Sequence, residues 1–234
     1  MFKKGNKMNY RQGEKGNVLF LILIAVVLFA ALSYAVTQSS RSGGGDASSE
    51  TNLVNSAQIT QYPAAVRTSL VRMIIGGTPL DTPITFNTPS DFTSTINTAI
   101  KQRRNAFHPA GGGATYADAP GDVMATGAPG VWYFNANFDV PNIGTSGAGG
   151  NDLIAFLPNV ALGICNKLNS EHNISSIVTW NPTDNLIADS LVDGETLPAT
   201  DQTDFPAGLS GQPFGCFQDT SNNQYTYYHI LIER

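Results

Sequence analysis

Charge is scarce in this sequence. Lys, Arg, Asp and Glu make up 13% of its 234 residues, against about 25% in ordinary soluble domains. Gly, Pro, Asn, Ser and Thr take their place, a mixture that favours short strands and loops. The little positive charge there is sits mostly at one end. Lys3, Lys4, Lys7, Arg11 and Lys15 crowd the first sixteen residues, opposed only by Glu14. The remainder is acidic, which excludes a nucleic-acid-binding face and leaves Lys101, Arg103 and Arg104 as a solvated helix end.

Catalytic and metal-binding chemistry lacks its usual residues. There are three histidines, His108, His172 and His229, in three different contexts. His108 precedes Pro109 and a glycine run and is expected in an exposed loop. His172 follows Glu171 near a helix end, where the macrodipole accounts for it, and His229 alternates with Ile230 and Ile232 on a strand. No HxH or HExxH spacing accompanies them. GLSG at 208–211 lacks the spacing of a nucleophile elbow, and HPAGGGATYADAPG lacks the GK[ST] ending of a phosphate loop, so it reads as a mobile surface loop. Asp184, Asp189, Asp193 and Glu195 do not follow the calcium-loop spacing and read as a solvated acidic loop. Trp132, Tyr133 and Phe134 read as core strand. No enzyme activity, metal or other cofactor is expected.

What the sequence does have is one long apolar run. Val18 to Val36, VLFLILIAVVLFAALSYAV, contains no charge, Gly or Pro. At about 1.5 Å per residue it spans about 29 Å, one hydrocarbon thickness. The basic residues before it predict a cytoplasmic N-terminus, with everything after Val36 outside an inner membrane, in the periplasm or at the cell surface. Removing about 50 residues leaves about 180, enough for one domain with a sizeable core. Two cysteines, Cys165 and Cys216, lie in that part; an even count in an oxidising compartment reads as a disulfide closing a 51-residue loop.

Four segments follow: a basic leader at 1–16, a transmembrane helix at 17–37, a Gly/Ser-rich hinge at 38–50 and an exported α+β domain at 51–234. The spacing of Leu53, Val54, Ala57, Val66, Leu70, Val71, Met73 and Ile74 predicts an amphipathic helix over 51–75, kinked or split at Pro63 and ended by Gly76 and Gly77. A second helix is expected over FTSTINTAIKQRR, capped by Ser90 or Asp91. GVWYFNANFDV (130–140) predicts a strand, LPNVALGICNKLNSEHN a short helix carrying Cys165, and QYTYYHILIER a final strand. DLIAFLPNV is a strand or a turn, and 182–215 shows no period. The expected architecture is α+β, with helices early and an antiparallel sheet later.

Lys15-Gly16 followed by Asn17-Val18-Leu19-Phe20-Leu21-Ile22 resembles the processing site of a bacterial type IV prepilin or pseudopilin. The resemblance covers residues 11–75. It implies cleavage after Gly16 by a prepilin peptidase and a methylated N-terminus at Asn17. It also implies a structural subunit extracted from membrane lipid by inner-membrane assembly machinery and packed against other pilin-like subunits. The Cys165–Cys216 bridge would then pin the terminal sheet region. Leu21 stands where the family carries Glu at the fifth mature position, which implies a minor or initiating subunit. Two other readings share the same first forty residues. A signal peptide would be cut after Ser33-Tyr34-Ala35, releasing a periplasmic binding or scaffold protein that starts at Val36, and an uncleaved anchor would hold such a domain at the membrane.

Overall fold

A computed structural model of the chain describes residues 15–78, 84–145, 151–182, 191 and 205–234, with the side chains of 15–17 and 38–49 excepted. The first helix, α1 (Lys15–Ile75), holds both the apolar run and the amphipathic segment. The backbone of 38–50 is helical, where a flexible hinge is expected from its glycines. Each Gly costs about 1 kcal/mol relative to Ala in a helix interior, but extending an existing helix needs no new nucleus. The chain nonetheless divides into two compact units, Met1–Glu50 and Thr51–Arg234.

Within the second unit, α1 buries Ser56, Ile59, Pro63, Val66, Leu70 and Met73. These recur at three- and four-residue spacing and form one stripe. The stripe corrects the one expected from hydropathy. Leu53, Val54 and Val71 are exposed, and Pro63 and Ser56 take core positions. Pro63 does not split the helix. It withholds one N–H from the carbonyl of residue 59 and offers its ring to the core in return. Gly77 ends the helix with a positive φ, and its N–H donates to the Ile74 carbonyl, 3.0 Å away.

Five strands make one sheet: β1 (Tyr133–Asn135), β2 (Leu153–Leu157), β3 (Val178–Trp180), β4 (Phe214–Asp219) and β5 (Gln224–Ile232). Their order is β1-β2-β5-β4-β3. The sheet is mixed rather than antiparallel, because β3 runs parallel to β4. Residues 181–213 separate these two strands, a connection long enough for the crossover that parallel pairing requires. Only Tyr133–Asn135 of the expected strand 130–140 pairs in the sheet. Beyond it Phe138 keeps a single bridge, its carbonyl accepting from Asp152 N–H at 2.9 Å, and with Val140 it fills a second core.

The sheet is covered on both faces. Ala155, Leu157, Cys216, Tyr227 and Leu231 share a core with α1 and with α3 (Leu162–Glu171). Ile154, Phe156, Phe217, Tyr228 and Ile230 face the other way, against Phe138, Val140, Trp180, Phe205 and Leu209. The period of two along β2 and β5 therefore divides two cores rather than core from solvent. The second helix, α2, is only Ala99–Arg104, capped by Thr98 rather than Ser90 or Asp91; Lys101 N–H donates to the Thr98 hydroxyl. Ahead of it, Pro89–Asp91 form a single 3-10 turn.

The glycine-rich stretch 108–114 is a built turn, not a mobile loop. Asn105 accepts from the N–H groups of Phe107 and His108 through its side chain, and its carbonyl accepts from Gly112. A Cβ at Gly111 or Gly112 would collide with the carbonyl oxygens of Asn105 or Ala106, so the close approach requires glycine. Arg72 of α1 donates to the Gly112 carbonyl at 2.7 Å, tying the turn to the helix end.

Between α3 and β4 a single side chain replaces a strand. Asn169, fully buried, donates to the Cys216 carbonyl and accepts from the Cys216 N–H, both at 2.9 Å. It satisfies β4 just before pairing with β3 begins at Phe217. Asn169→Ala leaves both backbone groups buried without partners, at about 1–3 kcal/mol each. Urea unfolding of the full chain in detergent should show a loss of about 2–4 kcal/mol; a loss below about 0.5 kcal/mol would remove the clamp from this account.

Candidate functional site

The first unit carries one feature. Val18–Thr37 is long and apolar enough to cross a membrane, and none of it is buried within the chain. Fourteen large apolar side chains between Val18 and Val36 are exposed, Phe29 at 73%. At about 1.5–3 kcal/mol for each such side chain, covering them is worth on the order of 20–40 kcal/mol. Nothing among the described residues of the unit supplies that cover. The Thr37 hydroxyl at its end is satisfied internally, donating to the Ser33 carbonyl at 2.8 Å. Length and composition of this kind are shared by a membrane anchor and a signal sequence. Gly16 and Asn17 lie in the first turn of α1.

The second unit is organised around the bridge between Cys165 on α3 and Cys216 on β4, whose Cα atoms are 5.3 Å apart. Asn169 lies four residues after Cys165, so bridge and clamp project from one face of α3 onto one residue of β4. That spacing is visible in the sequence, although only the bridge is read from it. Phe214, at the start of β4, brings two of the three histidines together. His172, the C-cap of α3, meets the Phe214 ring edge-on at 4.4 Å, and His229 stacks on it at 5.5 Å. His229 also shares a 2.8 Å hydrogen bond with the Tyr227 hydroxyl. His108 stands apart, half-buried, accepting from Ala110 N–H and packed edge-on against Phe92. The pattern is that of buried aromatic packing. No group of three or more metal-ligating side chains occurs among the described residues. Asp184, Asp189, Asp193 and Glu195 lie outside them.

Two buried titratable groups carry opposite penalties. Burial, with a smaller contribution from Arg67, lowers the His229 imidazole to about 4. Burial, and to a lesser degree Asp139 and Glu233, raises the Asp152 carboxyl to about 6, although it accepts from Val140 and Arg234 N–H. Burial also pushes the Tyr62 phenol up to about 12.

Two of the hollows on this unit are lined by described residues. One, about 390 Å³, lies between α1 and the loop 117–120, lined by Ile59, Tyr62, Ala65, Ala119, Pro120 and Trp132. Trp132 is only 5% exposed, a core residue as expected. The other, about 520 Å³, lies at the end of α3, where Asn166, Asn169, Ser170, Asn173, Ser175 and Ser176 line it together with Ile174. No family model, no curated protein and no solved structure matches the chain.

Two outcomes follow from this geometry. Below its normal range His229 holds fewer protons folded than unfolded, so it makes stability rise with pH between about 4 and 6.5. Asp152 holds more, so it makes stability fall between about 4 and 6. The two oppose each other over about 4 to 6, each worth on the order of 3 kcal/mol. Relative to wild type, Asp152→Asn should gain stability as pH rises through that window and His229→Gln should lose it. Urea midpoints at pH 4 and 6 measure both, and parallel pH profiles in all three proteins would contradict the assignment. Separately, Cys165→Ser opens a 51-residue loop, worth about 4 kcal/mol in the chain-entropy model. Limited proteolysis should then cut the second unit at protease levels that leave wild type intact, and equal resistance would show that the bridge braces nothing.

Proposed function

We propose that this chain is a pilin-like structural subunit, a minor pilin or pseudopilin, of a cell-envelope filament or secretion pseudopilus. The observation that carries the reading is the wholly exposed apolar span that begins directly after Lys15-Gly16. Such a span requires an apolar partner, and the proposal supplies two in succession. Membrane lipid covers it before assembly, and the equivalent helices of other pilin-like subunits cover it afterwards. Prepilin peptidase cuts between Gly16 and Asn17, which removes the lysine-rich leader that holds the N-terminus on the cytoplasmic side of the inner membrane. Inner-membrane assembly machinery then draws the helix out of the bilayer.

Three further features support the reading. Helical backbone across 38–50 puts the apolar run and the amphipathic segment in one helix, as a pilin requires. The disulfide fixes α3 to the sheet in the C-terminal half, suiting a domain that works in an oxidising compartment. Leu21, in place of the family's Glu, leaves the N-terminal amine of a neighbouring subunit without that carboxylate. A subunit needed once, at an end, tolerates this better than one repeated along a filament.

Intact-mass and N-terminal peptide analysis of the protein from its native membrane tests the proposal. The expected mature N-terminus is Asn17, carrying a methyl group. A start at Val36 would identify a released periplasmic protein, and an unprocessed leader would identify a permanent anchor. Either result overturns the filament reading.

A further inference from the structure

The turn between α3 and β3 reads Glu171-His172-Asn173-Ile174-Ser175. Asn-x-Ser with a middle residue other than Pro is the acceptor pattern of N-linked glycosylation. It occurs once in the chain; Asn181-Pro182-Thr183 fails because Pro fills the middle position.

The local structure presents this segment outward. His172 caps α3 and Asn173 follows with φ of 59°, the left-handed conformation that Asn adopts more readily than most residues. Asn173 N–H donates to the Ser170 carbonyl and Ile174 N–H to the Asn169 carbonyl, which closes the helix end by main-chain bonds alone. Ile174 turns in against the second core. Asn173 and Ser175 stay exposed on either side of it, and the side chain of neither is held by a hydrogen bond to another described residue. Both line the neutral polar hollow of about 520 Å³, a ligand-sized volume. Its amides and hydroxyls can hydrogen-bond the hydroxyls of a sugar, and Ile174 offers an apolar patch to a sugar ring face.

We propose that Asn173 is an N-glycosylation site, receiving an oligosaccharide from a lipid-linked diphosphate donor, with the first sugar lying over the hollow beside Asn166, Ser170 and Ser176. In the transfer, the Asn173 carboxamide nitrogen bonds to C1 of the donor sugar. The bond between C1 and the diphosphate oxygen breaks, the lipid diphosphate leaves with its electron pair, and the nitrogen gives up one proton. No oxidation or reduction is involved. The Ser175 hydroxyl is the handle by which the transferase orients the amide. The assignment rests on export of the second unit, and not on filament assembly.

The test uses the full chain isolated from its native membrane, digested for glycopeptide mass spectrometry, with the thiol state of Cys165 and Cys216 read in the same sample. The expected peptide carries a hexose- or N-acetylhexosamine-containing mass on Asn173, released enzymatically to leave Asp. Ser175→Ala should abolish occupancy and Ser175→Thr should retain it. Asn173→Gly should abolish it while keeping the helix cap, since Gly favours the same conformation. An unmodified Asn173 in chains whose cysteines are oxidised overturns the site while leaving export standing. So does a glycan carried on a serine, or occupancy that survives Ser175→Ala. Free thiols together with an unmodified Asn173 overturn export and the site at once.

Discussion

Burial of β5 on both faces is the constraint on which the second unit depends. From Thr226 to Ile232 every residue of the strand is buried, and its two sides point into two separate cores. A strand in that position must have its main chain paired along both edges, and β2 and β4 supply this. Its buried side chains include two tyrosines and a histidine, which is costly unless their polar ends are met. Tyr228 donates to the Gln212 carbonyl and Tyr227 shares its hydroxyl with His229. The order in which the chain is built up follows from this. α1 and α3 close one face, the loops around Phe138 and Phe205 close the other, and neither face is complete until β5 is in place.

The junction of α3 with β4 solves a related difficulty. β4 is paired to β5 along its whole length, but its other edge meets β3 only from Phe217 onward. At Cys216 that edge is open and buried, a position where main-chain groups would be left without partners. The Asn169 amide fills the gap with both a donor and an acceptor, while Cys165 fixes the helix that carries it. The covalent bond and the amide clamp therefore act on the same residue from the same helix. The clamp needs the helix held within hydrogen-bonding distance, and the bridge holds it there.

The sequence made some of this plain and concealed the rest, for identifiable reasons. Val18–Val36, the helix around Cys165 and the strand QYTYYHILIER are strongly patterned, and all three are where the pattern puts them. The disulfide followed from an even cysteine count and a long loop. The parallel direction of β3 was hidden because strand direction depends on a crossover with no periodic signal. The buried stripe of α1 was misread because Pro63 and Ser56 are poor helix-core residues on any hydropathy scale, while Leu53 and Val54 are good ones. Burial there was decided by geometry, since only the stripe at three- and four-residue spacing faces the sheet. The strand after Phe134 failed for a different reason: Phe138 and Val140 satisfy the composition of a strand but are used to cover one. Asn169 was legible in principle, one helical turn beyond Cys165, although a buried amide carries no hydrophobic signal. The exposed turn at Asn173 was legible as a motif, and only the structure adds that its acceptor side chain is uncommitted.

The low charge of the chain has a structural counterpart. The ion pairs Arg67–Glu233, at 3.5 Å, and Lys167–Glu171, at 3.8 Å, are both largely open to solvent, with side chains 32–46% exposed. Exposed pairs of this kind contribute about 0–1 kcal/mol and weaken as salt screens them. Apolar burial in two cores, neutral hydrogen bonds and the Cys165–Cys216 bridge are the other contributions to the second unit. None of these depends strongly on ionic strength. Two buried groups, His229 and Asp152, pull in opposite directions over about pH 4 to 6. Cohesion of this unit thus leans on neutral contacts and is reinforced by one disulfide.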